Sequence, residues 1–374
     1  MPRTRKQPDK NLLLQIAKLK GREGRNNGEI AAKLRIGARS VTPLINETIK
    51  WLLAEQQRLT RLDRPDKEQR LLEQKLKMKF PCLKRVQIVR GPEIATERAY
   101  AGLIQQWGPI GASYLDRLGD DAAREGKELH VAMSGGETIL EVVNSLPERT
   151  RANMYFHASA AIGRGAIRYK SHIDPAVNVT VAWARSGRIP QRCSYATASP
   201  YDLTGDARYS HDGKRREIFR QRATLSETPS IREYFEKDMD CIDVAFAGIG
   251  LVSPPKGAPG LSNRVTGAEL LKATTHIEPG DIAREGAIGD IAYCFFDADG
   301  RGDDDKWRFF PTAGDHDPKR RGVAFYRRMV EERKPVIVIE GSYKVPAIVA
   351  ALKGRLFNVW ITDEAAARQA LAAN

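Results

Sequence analysis

Long apolar runs are missing from this sequence. Nothing in its 374 residues approaches the ~18 consecutive apolar residues that a membrane-spanning helix needs. The opening MPRTRKQPDK is basic, but charge returns at Lys18 before an apolar signal core develops, so no secretory leader is expected. The chain reads as cytoplasmic, with no membrane partner. Cysteine is scarce too. Cys82, Cys193, Cys241 and Cys294 stand far apart, with neither CxxC nor Cys/His spacing, so neither a disulfide framework nor a metal centre is expected. The six histidines are scattered, and no nucleophile elbow, P-loop or metal motif appears. No catalytic residue and no cofactor is assigned.

Positive excess is missing from most of the chain. Residues 1–90 carry 23 Lys and Arg against 9 Asp and Glu, whereas the remaining 284 residues carry 38 of each. The whole net charge of +14 therefore sits in the first quarter. Such lopsidedness suits a nucleic-acid-binding module attached to an electrically neutral body. The length allows about two domains.

Inside the basic segment, Leu12, Leu13, Ile16 and Leu19 recur at helical spacing. GREGRNNG breaks that helix, and Asn27 is placed to cap the next, EIAAKLRI, with Ile30, Ala31 and Leu34 as its apolar stripe. A turn at Ile36–Gly37 leads into ARSVTPLINETIKWLLAEQ. Two short helices joined by a tight glycine turn describe a helix-turn-helix. Arg39, Ser40 and Thr42 then face base edges in the major groove of double-stranded DNA, and Lys33, Arg35 and Lys50 face phosphates. A three-helix protein-interaction bundle is the alternative. Pro43 interrupts the second helix and is expected to bend or restart it. RLTRLD follows as a short strand or wing. Pro65 then opens a helix with a seam of Leu71, Leu72 and Leu76, suited to dimerisation or to packing on a neighbouring domain.

From Val86 the pattern becomes α/β, with VQIV, ELHVAMS, IDVAFAGIG, PVIVIEG and FNVWITD as strands between helical segments. That order points to a mainly parallel sheet, which binds ligands at the carboxyl ends of its strands. In MSGGET a strand ends at Met133 and a helix starts near Thr138. Its hydroxyls and backbone N–H groups suit a phosphate, though glycine turns also serve structure alone. The glycines of GIG at 248–250 offer the same two uses. Glu137 and Asp243 read first as a helix N-terminal charge and a strand-start residue, and second as acid–base groups. Residues 299–321, rich in charge and glycine, read as a surface loop or insertion.

With these residues placed, the chain resembles the SorC family of bacterial sugar-sensing transcriptional regulators. EIAAKLRIGARSV resembles the family helix-turn-helix, and LEQKLKMKFPCLKRVQIV the link to the effector domain. MSGGETILEVVNSL resembles the phosphate-loop segment. IDVAFAGIG, GAIGDIAYCFFDADG and KVPAIVAALKGRLFNVWITDEAAARQAL resemble three further blocks in family order. The resemblance implies a helix-turn-helix domain over 1–62 and a linker helix over 63–85. It further implies an α/β effector domain over 86–374, built like the phosphosugar isomerases. It implies a sugar or sugar-phosphate effector, a double-stranded DNA operator and a homodimer or homotetramer. The effector-site residues it carries over are Ser134, Gly135, Gly136, Glu137 and Thr138, with Lys344 as the phosphate cation. Arg164, Arg264 and Asp290 join them, and Asp297 either lines the pocket or orders its loop. Pro43, the added charge of Glu137 and the 299–321 segment depart from the family pattern. A phosphosugar isomerase-like enzyme and a protein that only binds DNA are the rival readings.

Overall fold

The computed structural model describes residues 10–17, 19–20, 25–37, 39–48, 66–91, 96–147, 153–160, 175–185, 233–235, 239–253, 271–272, 277–312, 317 and 319–373. The chain divides into two compact units, Met1–Arg64 and Pro65–Asn374.

The first unit holds α1 (Lys10–Ala17), α2 (Asn27–Leu34) and a helix over residues 39–48, α3. Ile16, Leu19, Ile30 and Ala31, apolar positions read from helical spacing, form its buried centre together with Val41. Asn26, not Asn27, caps α2. Its side chain accepts the Glu29 N–H at 3.0 Å, and the Glu29 carboxylate accepts the Asn26 N–H at 2.9 Å. This reciprocal pair satisfies two otherwise orphaned donors. α2 ends at Arg35, held in the left-handed region at φ 53°. The helix over 39–48 runs through Pro43 at its fifth position without restarting there. The expected wing, residues 58–63, lies outside the described residues.

The second unit is an α/β body. β1 (Arg85–Val89), β2 (Leu129–Met133), β3 (Met154–Ala158), β4 (Val244–Ala247), β8 (Val336–Ile339) and β9 (Val359–Asp363) make one sheet. Their order is β1-β9-β8-β4-β2-β3, with every neighbouring pair parallel. β5 (Ile249–Leu251), β6 (Gly289–Ile291) and β7 (Cys294–Phe296) form a small antiparallel sheet.

The central strands are apolar throughout because both sheet faces are covered. Side chains alternate between the faces. Val131, Met133, Val244, Phe246, Ile337 and Ile339 enter one core, while Ala132, Ala245, Val336, Val338 and Trp360 enter the other. The first face is covered by α5 (Glu97–Arg124), α6 (Glu137–Asn144) and α7 (Pro175–Arg185). α5 lies close because Gly111 has no side chain; a β-carbon there would meet Val142 and Ile339 at 2.7 Å. After α8 (Pro279–Arg284) and the short α9 (Asp304–Trp307) come the helices of the opposite face. These are α10 (Val323–Glu331), α11 (Val345–Lys353) and α12 (Glu364–Ala372), joined by α4 (Lys67–Lys79).

α4 falls in the second unit. Leu72 and Leu76 of its expected seam are buried in the body core, while Leu71 is half exposed. Gln69 Nε2 donates to the Ile88 carbonyl at 3.1 Å and ties the helix to β1.

The 299–321 segment is not a surface loop throughout. Trp307, Phe309 and Phe310 are buried with Tyr293, Phe295 and Ile282. A bridge between Ala160 and Thr312 joins the segment to the end of β3. Its charges and glycines masked an aromatic centre.

Candidate effector crevice

β2, β4 and β8 end side by side, and the residues that follow them converge. The Ser134 N–H donates to the Phe246 carbonyl at 2.9 Å. Ser134 Oγ accepts the Gly248 N–H at 2.8 Å and donates to the Gly135 carbonyl at 3.0 Å. Asn178 of α7 donates to the Ser134 carbonyl at 2.8 Å. The Ser134 hydroxyl therefore braces the strand ends. Gly136, at φ 116°, turns the chain into α6, with no side-chain cap on the helix start. The first N–H groups and positive dipole end of α6 are what an anion requires. Glu137 is half-buried in that first turn.

Thr138 is buried, and its hydroxyl lies 3.1 Å from the Tyr100 hydroxyl of α5. Burial, and then the nearby Glu340 charge, raise the Tyr100 phenol well above its ordinary value. It stays protonated and forms part of the wall.

Lys344 ends the turn Ser342–Lys344 before α11. Its ammonium donates to Glu340 Oε1 at 2.8 Å and to the Ile249 carbonyl. Burial opposes the charge, but Glu340 first and then Asp290 outweigh it and hold the amine above its ordinary value. Lys344 is thus a fixed cation inside a polar cluster.

Asp290 on β6 accepts the Tyr293 N–H at 2.9 Å. It sits directly across from Gly250, where a β-carbon would lie 2.0 Å from Asp290 Oδ1. The second glycine of GIG is therefore required by the neighbouring carboxylate. Asp297 orders its own loop, accepting the N–H groups of Asp299 at 2.9 Å and Arg301 at 2.8 Å.

The structure thus brings together Ser134, Gly135, Gly136, Glu137, Thr138, Asp290 and Lys344. Arg164 and Arg264 lie outside the described residues, as does Lys50. Sequence reading missed Tyr100, Asn178 and Glu340. Only Glu340 left a signal, as an acidic residue closing the apolar run PVIVI. Asp243 takes a backbone role, accepting the His130 N–H at 2.9 Å.

In the basic unit, Lys33, Arg35, Arg39, Ser40 and Thr42 are all exposed. Asn27 Nδ2 donates to Thr42 Oγ1 at 3.1 Å, so this hydroxyl links α2 to α3.

Three of the histidines and cysteines that are scattered in sequence meet in space. His130, His157 and Cys241 each bring a donor atom to one place, all within 4.8 Å of one another. Spacings of 27 and 84 residues hid this from a motif search.

Residues 217–372 match the family model described as "Putative sugar-binding domain". No curated protein matches the chain. Solved structures do. The full-length sorbitol operon regulator SorC from Klebsiella pneumoniae is 20% identical with a TM-score of 0.56, over 96% of this chain and 98% of that one. A probable sor operon regulator from Shigella flexneri is 20% identical with a TM-score of 0.55, over 81% and 99%. A transcriptional regulator from Streptococcus pneumoniae TIGR4 is 16% identical with a TM-score of 0.57, over 82% and 98%. Residues 217–372 thus carry the signature of that sugar-binding domain, and the chain has the fold of the SorC regulators it resembles.

Proposed function

We propose that this chain is a DNA-binding transcriptional regulator whose operator affinity is controlled by a sugar or sugar phosphate held at the carboxyl ends of β2, β4 and β8. The observation that carries the reading is the convergence of the 134–138 turn with Lys344 and Asp290 in a body whose residues 217–372 match a sugar-binding family model. The basic unit with exposed Lys33, Arg35 and Arg39 supplies the DNA half. Among the described residues, no helix is long and apolar enough to cross a membrane.

Lys344 faces both Glu340 and Asp290. Polar groups of this kind suit sugar hydroxyls, with the carboxylates accepting and the ammonium donating. The N-terminus of α6 suits a phosphate or another anion on the same sugar. Binding there changes DNA affinity only by its differential affinity for two states of the protein. Duplexes selected from a random pool should bind the full chain with an affinity that falls steeply with salt. A chain beginning at Pro65 should lose that binding. Equal affinity without residues 1–64 would refute the DNA half. Paired half-sites call for at least a dimer, which light scattering at micromolar concentration tests.

A further inference from the structure

On the sheet face opposite α5, β2 and β3 present His130 and His157. β2 and β3 pair in parallel, with His130 beside Tyr155 and Ala132 beside His157. Two-residue alternation therefore puts both imidazoles on one face. The chain returns to that face at Cys241, just before β4. His130 Nδ1 lies 3.0 Å from His157 Nε2 and 3.3 Å from Cys241 Sγ. Two nitrogens bound to one tetrahedral zinc ion at ~2.0–2.1 Å stand about 3.3 Å apart, and a nitrogen and a sulfur about 3.6 Å. Both distances from His130 Nδ1 are within a few tenths of an ångström of that spacing, and the His157 and Cys241 donors lie within 4.8 Å of each other.

The surroundings are those of a metal site. His130 Nε2, on the far side of its ring, faces Glu128 Oε2 at 3.7 Å. The other oxygen of Glu128 accepts the Tyr155 hydroxyl at 2.8 Å. Tyr155 also stacks on the His130 ring at 4.9 Å. A carboxylate behind a histidine, itself held by a hydrogen bond such as that from Tyr155, is the usual support of a metal-bound imidazole. Cys241 is exposed while both histidines are half-buried, so the cluster opens to solvent on the sulfur side.

We propose that His130, His157 and Cys241 bind a zinc-class divalent cation through His130 Nδ1, His157 Nε2 and the Cys241 thiolate, with water in the fourth position. The ion ties the paired strands β2 and β3 to the segment entering β4. The proton shared between the two rings moves to an outward nitrogen, and the other ring keeps its outward proton. On His130 that proton faces Glu128. The thiol loses its proton to solvent, so one proton is released per ion bound.

Cobalt(II) added to the full chain tests this, because a thiolate–cobalt bond gives a near-ultraviolet charge-transfer band and tetrahedral coordination gives intense visible bands. Wild type should show both at one ion per chain, with one proton released, and zinc should displace the cobalt. Cys241→Ser changes an exposed side chain and should lose the charge-transfer band. His157→Gln and His130→Gln, checked for fold by circular dichroism, should weaken binding by more than 100-fold. Glu128→Gln should weaken it ~10–100-fold. A wild type without the band, a band that survives in Cys241→Ser, or affinity unchanged in both histidine variants would overturn the site.

Discussion

Lys344 and Glu340 are one helical turn apart in sequence and 2.8 Å apart in space, and the carboxylate side chain is only 4% exposed. A buried pair of this kind is costly to break because the remaining charge is left without its counter-ion. Glu340→Gln and Lys344→Met should each destabilise the protein by about 3–5 kcal/mol. The double variant should recover much of that loss. Urea unfolding of the four proteins checks this, and additive losses would contradict it. Any ligand assay on Lys344→Ala therefore needs a stability measurement beside it.

Gly250 answers to Asp290. With a β-carbon 2.0 Å from Asp290 Oδ1, Gly250→Ala must displace the Asp290 carboxylate from its bond to the Tyr293 N–H or push β5 and β6 apart. A cost of ~1–3 kcal/mol is expected from such overpacking. Adding Asp290→Ala should relieve most of the strain. If Gly250→Ala alone leaves the urea midpoint unchanged, the close approach has been misread.

Arg35 makes two opposed predictions. Its φ of 53° belongs to glycine more than to arginine, so Arg35→Gly should stabilise α2 by about 1 kcal/mol. Hydrogen exchange of the α2 and α3 amides in the full chain reads this out. The same change removes a proposed phosphate contact. DNA affinity should drop alike for all sequences, and the salt slope should fall by ~1. A loss confined to the preferred duplex would assign Arg35 to a base instead.

Phe309 is fully buried against Phe295, with ring centroids 5.8 Å apart. Phe309→Ala should cost ~3–5 kcal/mol. A change below 1 kcal/mol would return residues 299–321 to the surface.

Much of the body was legible because its strands are unbroken apolar runs. PVIVI and VWIT cannot be solvent-facing, and the glycines after AMS and AFA mark where strands turn. The carboxyl-end crevice and its 134–138 turn follow from that pattern, whereas Lys344 is legible only through the resemblance to the SorC family. Glycine and charge in 299–321 outweighed WRFF in the reading, although those aromatics decide its packing. The sequence pattern places the cap at Asn27, one residue past the Asn26 that serves, because neighbouring identical residues cannot be told apart without backbone geometry. Tyr100 and the His130–His157–Cys241 cluster stayed hidden for a different reason. Their partners lie 27 to 111 residues away, and only the sheet register and helix packing bring them together.

The most direct test of the central claim is operator affinity under effector titration. Fluorescence anisotropy of the full chain on a selected duplex, at fixed salt, should be measured against a panel of sugars and sugar phosphates. At least one compound should change the apparent Kd by 5-fold or more, roughly the lower end of typical allosteric coupling. Thr138→Val, with its fold intact, should reduce that response. Unchanged DNA affinity across the whole panel, with the same compounds failing to shift the thermal midpoint, would contradict the account.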